Sequence, residues 1–381
     1  MLFVYLSDNQ INMNRMRNDL LIFARRLTDH RMERKKLHLA EDIVYLTLAA
    51  VICGADTWED IAEFGRSKRV FFEGILSLKN GIPSHDTINR FFAGLVPGEF
   101  EKQFISWVKE ICGQNKGVVS FDGKTIRGSR KSGNKSAIHM VSAFAQSNNL
   151  VLGQIKTVEK SNEITAIPEL IKILDLEGCI VTIDAMGCQT KIAQTIIEHK
   201  ADYALAVKEN QKELHTNIED TFRFMSHGKP SCFEETDTGH GRVEIRRCTV
   251  TNDLSHITRP DTWANIQTLV RIESERYTKA TGVTQKETRY YISSLNPDPV
   301  LLEKVIRSHW GIENKLHWHL DVSFNEDKSR KRDRNAAENY SVILRMALNL
   351  IKNEKSTKRS VRTKRLKAGW DNEYLKLLLD F

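Results

Sequence analysis

The sequence predicts a mixed α/β protein: an open sheet covered by helices, with a helical region before it and a β-rich insertion near its end. Three observations support this fold class. They are helical spacing of apolar residues up to Cys112, a change to strand-like runs at Gly117, and strands that alternate with helices after that. With 381 residues, of which 40% are hydrophobic and 28% charged, the chain can bury a large core and divide into two or three subdomains.

The N-terminal region, from about Asn14 to Cys112, has the apolar spacing of helices. The stretches that show it are AEDIVYLTLAAVICGA, WEDIAEFG and FEKQFISWVKEIC. Between them, Ser84 is a good N-cap ahead of an apolar stripe made of Ile88, Phe91 and Phe92. A short helix after a turn fits a helix-turn-helix DNA reader, and ordinary helix packing fits it equally well. We predict that residues 1–114 form a helical, candidate DNA-binding domain.

The central region predicts a three-strand meander that passes into βαβ units. The meander strands are VVSFDG, AIHMVSAFA and LVLGQIKTV, joined by polar turns. The runs that follow alternate between helix and strand: SNEITAIPELIKILD, GCIVTIDAM, CQTKIAQTIIEHK and DYALAVKEN. Short connections of this kind place consecutive strands side by side in one mixed sheet, with helices on its faces.

Beyond an expected helix at Lys212–Phe224, the pattern becomes rich in strands again. Three segments carry it, CFEETDTGHGRVEIRRCTVTND, IQTLVRIESERY and ETRYYISSL, and they predict a β-rich insertion at about 225–290. Helical spacing returns in PVLLEKVIRSHWGIENKLHWHLD and NAAENYSVILRMALNLIKNE. We therefore divide the rest of the chain into a catalytic region, 115–351, and a basic C-terminal tail, 352–381.

The formal net charge of +8 is unevenly distributed along the chain. Lys352–Lys367 has a net charge of +7, Lys328–Arg334 of +4 and Arg15–Lys36 of +5, so the remainder is net negative. Clustered cations favour a polyanionic partner, because phosphate contacts release the counterions condensed on DNA. Solvated faces and a disordered tail are the alternative interpretation of such segments.

Composition gives no indication of a membrane or a zinc site. No apolar run approaches the roughly 18 residues of a membrane span, and MLFVYL lacks the features of a signal peptide, so we expect a cytoplasmic protein without a membrane partner. Six cysteines without a C-x-x-C pair are expected to be reduced and structural. His317 and His319 in HWH would point apart on a helix, which argues against a paired metal site.

Two aspartates follow buried strands that we expect to be neighbours. Asp122 follows VVSF and Asp184 follows CIVTI, so their carboxylates should emerge at one edge of the sheet, where ligands of open α/β sheets bind. Two adjacent carboxylates repel each other unless a cation lies between them. Oxygen ligands select a hard ion, Mg²⁺ or Mn²⁺. Glu313, between Trp310 and Ile312, is the candidate third acid, and its apolar flanks suggest that it faces the protein.

Several blocks of the sequence resemble the motifs of DDE transposases of the ISAs type, the group that includes the H-repeat-associated proteins of Rhs elements. The blocks are FDGKTIRGS, EKSNEITAIPELI, TIDAMGCQTKIA, YALAVKENQ, RYYISSL and HWGIENKLHWHLDVSFNED. The resemblance implies an RNase H-like core with a β-rich insertion. It also implies metal-dependent cleavage of DNA at insertion-sequence ends and strand transfer into target DNA. The family's three acids fall on Asp122, Asp184 and Glu313.

Each acid also has a simpler interpretation. Asp122 before Gly123 could form a turn, and Asp184 could cap the following helix. Glu313 could pair with Arg307 or Lys315, and Glu326–Asp327 is a rival acidic pair. The corresponding alternatives for the whole chain are an inactive or domesticated DNA-binding descendant of a transposase and a general RNase H-like nuclease.

Ten further residues are predicted to contact double-stranded DNA, either element ends or target. An internal salt bridge is an equally good interpretation for the first two of them. The ten are Lys124, Arg127, Lys208, Asn210 and His309 around the acids, and Lys358, Arg359, Arg362, Lys364 and Arg365 in the tail. Joining two DNA ends requires a homo-oligomer, and such a protein would act in the cytoplasm of a bacterium, at the nucleoid.

Overall fold

A computed structural model of the chain describes residues 20–113, 116–130, 136–157, 162–224, 230–239 and 241–379. The helices of this part that precede the sheet begin with a short stretch at residues 20–25. They continue, as predicted, with α1 (Ala40–Ile52), α2 (Trp58–Ser67), α3 (Arg69–Glu73), α4 (His85–Gly94) and α5 (Pro97–Cys112). The part of the predicted helical region before residue 20 lies outside the described residues.

Local sequence accounts for where these helices begin. Thr57 accepts a hydrogen bond from the Asp60 amide, and the Asp60 carboxylate accepts one from the Thr57 amide, which is a capping box. Ser84 accepts from the Thr87 amide, so its prediction as an N-cap is confirmed. The predicted stripe on α4 is buried, and Phe92 stacks on Trp58 with ring centroids 5.4 Å apart.

One nine-stranded sheet forms the centre of the molecule, in the order β3-β2-β1-β4-β5-β9-β8-β7-β6. The strands are β1 (Gly117–Ile126), β2 (Ile138–Ala145), β3 (Leu150–Thr157), β4 (Cys179–Ile183), β5 (Asp202–Val207), β6 (Ser231–Gly239), β7 (Arg242–Thr251), β8 (Thr268–Thr278) and β9 (Val283–Ser293). β1 to β3 are antiparallel, whereas β4 runs parallel to β1 and β5 parallel to β4. The predicted RNase H-like mixed sheet is thereby confirmed.

The β-rich insertion extends this sheet instead of forming a separate one. β9 pairs antiparallel with β5, from Ala204 opposite Ser293 to Val207 opposite Tyr290, and β8, β7 and β6 follow outward. The first segment of the insertion forms a hairpin, β6 and β7. Gly241, with φ of +74°, explains the turn, because glycine adopts a left-handed backbone without steric cost.

The remaining helices cover the sheet and close the C-terminus. They are α6 (Glu163–Ile173), α7 (Thr190–Glu198), α8 (Lys212–Phe224), α9 (Pro299–Ile312), α10 (Ala336–Asn353), α11 (Val361–Trp370) and α12 (Asn372–Leu379). α9 runs on into two π-helical turns, Glu313–His317 and His319–Ser323. Among the described residues, no helix has the length and apolar character needed to cross a membrane.

The segment predicted to be a basic tail is folded. α11 and α12 bury apolar side chains, among them Ala368, Leu375 and Leu378, in the same core as α1 and α10. Part of the positive charge of this segment therefore lies on the exposed side of packed helices, whose other side completes the core.

Candidate active site

Asp122 and Asp184 lie side by side on neighbouring strands. In the parallel pairing of β1 with β4, Phe121 is opposite Ile183, so the next residue of each chain segment is an aspartate at the same level of the sheet. Asp122 does not end its strand as expected, because β2 continues to pair with β1 as far as Ile126 after β4 has stopped. The two carboxylates therefore meet where the parallel strand gives way to a loop.

The Asp184 carboxylate also caps the short turn that follows it. Its Oδ1 accepts hydrogen bonds from the amides of Met186 at 3.1 Å and Gly187 at 3.4 Å, so the capping interpretation describes a real contact of this side chain. Burial and the neighbouring charge of Asp122 raise the pKa of Asp184 above its ordinary value.

Glu313 lies near Asp122, at the point where α9 passes into its first π-helical turn. The π-helical turn that begins at Glu313 brings it together with His317, and one donor atom from each of Asp122, Glu313 and His317 lies within 4.8 Å of the other two. Turns of this rare kind are frequent at functional sites. Glu313 was predicted to face the protein and not bulk water, and this was wrong. Both Glu313 and the nearby Trp310 are exposed.

Two histidines surround the aspartates. His317 Nε2 lies 3.1 Å from Asp122 Oδ2, and His309 Nδ1 lies 3.0 Å from Thr182 Oγ1 on β4. Burial raises the pKa of Asp122, but the imidazoles of His317 and His309 outweigh it and hold that pKa below its ordinary value. Burial lowers the pKa of His309, against the opposing charges of Asp122 and Asp184. His309, which was predicted to contact DNA, thus packs against β4 close to Asp122 and Asp184.

Lys124 has the internal salt bridge that was the alternative to a phosphate contact. Its side chain is only 8% exposed, and its Nζ lies 2.7 Å from Asp321, 3.1 Å from Glu326 and 3.1 Å from Asp327. Arg345, fully buried on α10, pairs with Glu326 at 2.7 Å. The rival acids Glu326 and Asp327 are therefore held by cations of the protein itself.

The other predicted contacts near the acids lie in different settings. Arg127 is 84% exposed, with its Nε 3.4 Å from Asp327. Lys208 is exposed at the end of β5, which runs parallel to β4 as expected. Asn210 donates a hydrogen bond to the carbonyl of Ala185 at 2.6 Å and so holds the loop that follows Asp184.

The five tail residues separate into two groups. Lys358, Arg359 and Arg362 are exposed. Lys364 is buried, with its Nζ 3.0 Å from Glu354 Oε2, and Arg365 donates to the Val51 carbonyl at 2.9 Å and lies 4.3 Å above the ring of Phe324. The structure gives these two residues a packing role in place of the predicted DNA contact, because their helix turns them toward α1 and the end of α10.

Sequence reasoning missed a buried pair beneath Asp122. His139 on β2 and Glu163 at the start of α6 are hydrogen-bonded to each other, and a Cβ atom at Gly123 would collide with both. Glu163 is the first residue of α6, and its side chain is 6% exposed. The glycine directly after Asp122 was the available signal, because glycine marks close approach of another group to the backbone.

Comparison with known proteins identifies matches over most of the chain. Residues 113–350 match the family "Transposase DDE domain", and residues 22–108 match "DDE_Tnp_1-associated". "Putative transposase YncI" of Escherichia coli O157:H7 is 44% identical over 369 residues, which is 94% of each chain. "H repeat-associated putative transposase YhhI" of Escherichia coli K12 is 42% identical over 362 residues, 93% of this chain and 95% of that one.

Among solved structures, the chain is similar to piggyBac transposase in its synaptic complex with hairpin DNA, studied by cryo-EM. The TM-score is 0.43 at 12% identity, over 98% of this chain and 80% of that one. The match to the DDE domain covers more than half of the chain, and both relatives in E. coli align along nearly their full length. The chain therefore belongs to the DDE transposase family, in the group that contains the H repeat-associated transposases.

Proposed function

We propose that this chain is an active transposase, which cuts DNA at the ends of its insertion sequence and joins those ends to target DNA. One observation supports the proposal: Asp122 and Asp184 follow residues that pair on adjacent parallel strands, and the π-helical turn brings a donor atom of Glu313 within 4.8 Å of one of Asp122. In the proposal, these three acids, 62 and 129 positions apart in the sequence, act together.

The residues present fit divalent ions. Burial and the negative charge of Asp122 raise the pKa of Asp184, and a bound cation would offset both effects. Carboxylate oxygens are the donors that Mg²⁺ and Mn²⁺ prefer. In our proposal Asp122 and Asp184 would hold one ion, and Asp122 and Glu313 would hold the other. Bound there, such a pair of ions supplies an activated water, a clamp on the phosphate and charge stabilisation of the leaving oxygen.

The reaction itself is two successive in-line displacements. A water oxygen attacks the phosphorus at the element end, the bond from phosphorus to O3′ breaks, and a 3′-OH is released. That 3′-OH then attacks a phosphorus of the target strand and displaces its O3′. No covalent bond between protein and DNA forms. Asn210 and the cap at Asp184 hold the loop at the reacting centre in place, and His309 closes the wall behind it.

The exposed cations near this edge and in the tail segment are the proposed contacts to the DNA backbone. They are Arg127, Lys208, Lys358, Arg359 and Arg362. Contacts of this type bind without regard to base sequence and weaken as salt rises. A protein that joins two ends would work as a homo-oligomer on the bacterial nucleoid.

Loss of activity is the second candidate, because one relative is named "Inactive transposase YbfQ", 47% identical over 62 residues, 16% of this chain. Nicking of a supercoiled plasmid that carries the element ends decides between the two. We expect nicking with Mg²⁺ or Mn²⁺, and its loss in Asp122→Ala, because Asp184 and Glu313 would each be left without the carboxylate that they share in holding the ions.

The matched control is Asp261→Ala, at an exposed aspartate near the insertion strands, which should nick like the unchanged protein. Binding of the plasmid without any nicking would favour the inactive descendant. Nicking that ignores the element ends would favour a general nuclease. Nicking that survives Asp122→Ala would contradict the proposed site.

A further inference from the structure

His317 is a buried histidine with no hydrogen bond to either ring nitrogen among the described residues. Its side chain is 4% exposed, and its Nε2 points at Asp122 Oδ2 from 3.1 Å without the angles of a hydrogen bond. About nine in ten buried polar groups in proteins have a hydrogen-bond partner. His317 Nε2 faces a carboxylate without a hydrogen bond, and Nδ1 has no hydrogen-bond partner either. This arrangement indicates a partner that is neither backbone nor side chain.

The separations around His317 are those of ligands that share one ion. Neighbouring ligands on an octahedral ion with bonds of about 2.1 Å lie about 3 Å apart, and opposite ligands about 4.2 Å apart. Nε2 of His317 and Oδ2 of Asp122 are 3.1 Å apart, and the Glu313 donor lies within 4.8 Å of both. Because Glu313 is exposed, its side chain can close the remaining gap by rotation.

His319, two residues further along, has a local hydrogen-bond partner and provides a comparison for His317. His319 is partly buried, and its Nδ1 lies 3.2 Å from the hydroxyl of Ser323. It does not belong to the group formed by Asp122, Glu313 and His317. The helix thus turns one histidine of the HWH sequence toward the acids and uses the other locally.

We propose that His317 is a direct ligand of the ion held between Asp122 and Glu313, an inference that rests on the proposed metal-dependent function. One of the two positions then has a nitrogen donor, whereas the position between Asp122 and Asp184 has only oxygen donors from these acids. Imidazole suits transition metals, and Mg²⁺ favours oxygen. The position with His317 is therefore the one that prefers Mn²⁺ to Mg²⁺.

The rival explanation is that His317 only orients Asp122 through a hydrogen bond. Pulsed EPR of the full chain with Mn²⁺ separates the two, because nitrogen bound directly to Mn²⁺ modulates the echo. We expect a nitrogen signal that changes when histidine is labelled with ¹⁵N, disappears in His317→Ala and persists in His319→Ala. A saturated sample without this signal, or a signal that survives His317→Ala, would overturn the inference.

Affinity provides a second measurement. In His317→Ala and His317→Gln, Mn²⁺ binding should weaken at least tenfold, and Mg²⁺ binding, measured by competition, should weaken several times less. His319→Ala should change neither. Equal weakening for both ions would mean that His317 acts on Asp122 alone, which contradicts the inference. If His317→Ala does not fold, the labelled full-length protein and His317→Gln still decide.

These measurements need no DNA, so their failure is distinct from failure of the proposed function. If Mn²⁺ binds through Asp122 but not through His317, this inference fails and the transposase proposal stands. If the nitrogen signal is present and the plasmid is never nicked, the ligand is correct and the proposed activity is not.

Discussion

At the scale of single residues, charge in this protein is used in two different ways. Some cations are exposed beside the acids, whereas others are themselves buried and pair with carboxylates of the protein. Lys124 illustrates the second use: burial lowers its pKa, but the charges of Glu326 and Asp321 outweigh this and raise that pKa above its ordinary value. Asp321 lies in the π-helical turns that carry Glu313 and His317. The network around Lys124 therefore ties the third acid to β1.

Replacement of Lys124 by Met tests this network. The substitution removes the cation that pairs with the buried Glu326 and with the partly buried Asp321 and Asp327. Removal of one partner from a buried ion pair lowers the free energy of unfolding by about 3–5 kcal/mol. Urea denaturation followed by circular dichroism measures the change. Lys102→Met, at an exposed position of α5, is the matched control and should stay within about 0.5 kcal/mol. A loss below about 1 kcal/mol in Lys124→Met would mean that solvent reaches these acids.

At the scale of elements, the C-terminal helices are attached through one carboxylate. Glu354, just after α10, accepts hydrogen bonds from the amide of Thr357 at 3.2 Å and the hydroxyl of Tyr374 at 2.7 Å, and pairs with Lys364 at 3.0 Å. Burial raises the pKa of Glu354, but these partners and the Ser356 amide outweigh it and lower that pKa to about 2. Glu354 thus joins the end of α10 to α11 and α12.

This pKa predicts a loss of stability in acid. A carboxyl group whose folded pKa is depressed stabilises the protein above its unfolded value of 4.5, and that contribution disappears as pH falls through about 2. At neutral pH the contribution is about 3 kcal/mol, from about 1.4 kcal/mol for each unit. The free energy of unfolding of Glu354→Gln should therefore lie below that of the unchanged protein at pH 7 and approach it near pH 2.

Urea titrations at several pH values measure this difference. Glu373→Gln, whose carboxylate is 81% exposed on α12, is the control and should show almost no gap at any pH. A constant gap for Glu354→Gln from pH 7 to pH 2 would show that lost packing, and not ionisation, is responsible.

At the scale of the whole molecule, the helices before the sheet and the helices after it share one core. Asn339 on α10 donates to the Phe92 carbonyl at 2.7 Å, and Tyr340 lies edge-on to Trp58 with centroids 5.4 Å apart. Arg365 in turn bonds the end of α1. The predicted boundary between a DNA-binding region, residues 1–114, and a catalytic region, 115–351, stays a prediction about function. The hydrophobic core contains residues from both regions. Removal of the tail segment would open this core, so its DNA contacts are better tested by substitution.

The surface charge of the tail segment should set part of the salt dependence of DNA binding. Replacing Lys358, Arg359 and Arg362 together by Ala should weaken binding and lower the slope of log affinity against log salt by about 2–3, since each phosphate contact contributes about 0.9. Fluorescence anisotropy with labelled duplex DNA at several salt concentrations measures the slope. A control triple at exposed lysines elsewhere, Lys79, Lys102 and Lys172, should change it less. Equal slopes for the two triples would remove the tail from the binding surface.

The sequence by itself determined the elements and the meeting of two acids. Helix caps such as Ser84 depend on neighbours three residues away, so a local pattern is enough to predict them. Asp122 and Asp184 could be expected side by side because each follows a buried strand of one predicted mixed sheet, and β1 and β4 are neighbours in that sheet. The apolar flanks of Glu313 suggested it as the third acid, and the motif resemblance falls on the same residue, but the burial expected from those flanks is not observed.

Only the tertiary structure decided which charged residues are used inside the protein. Lys124 meets Asp327 across 203 positions, and Arg365 meets the carbonyl of Val51 across 314. His317 likewise reaches Asp122 from a distant helix. Local patterns record whether a residue is charged and which face of its helix it occupies. Whether that face is covered depends on the packing of elements far apart in the chain, which no local window contains.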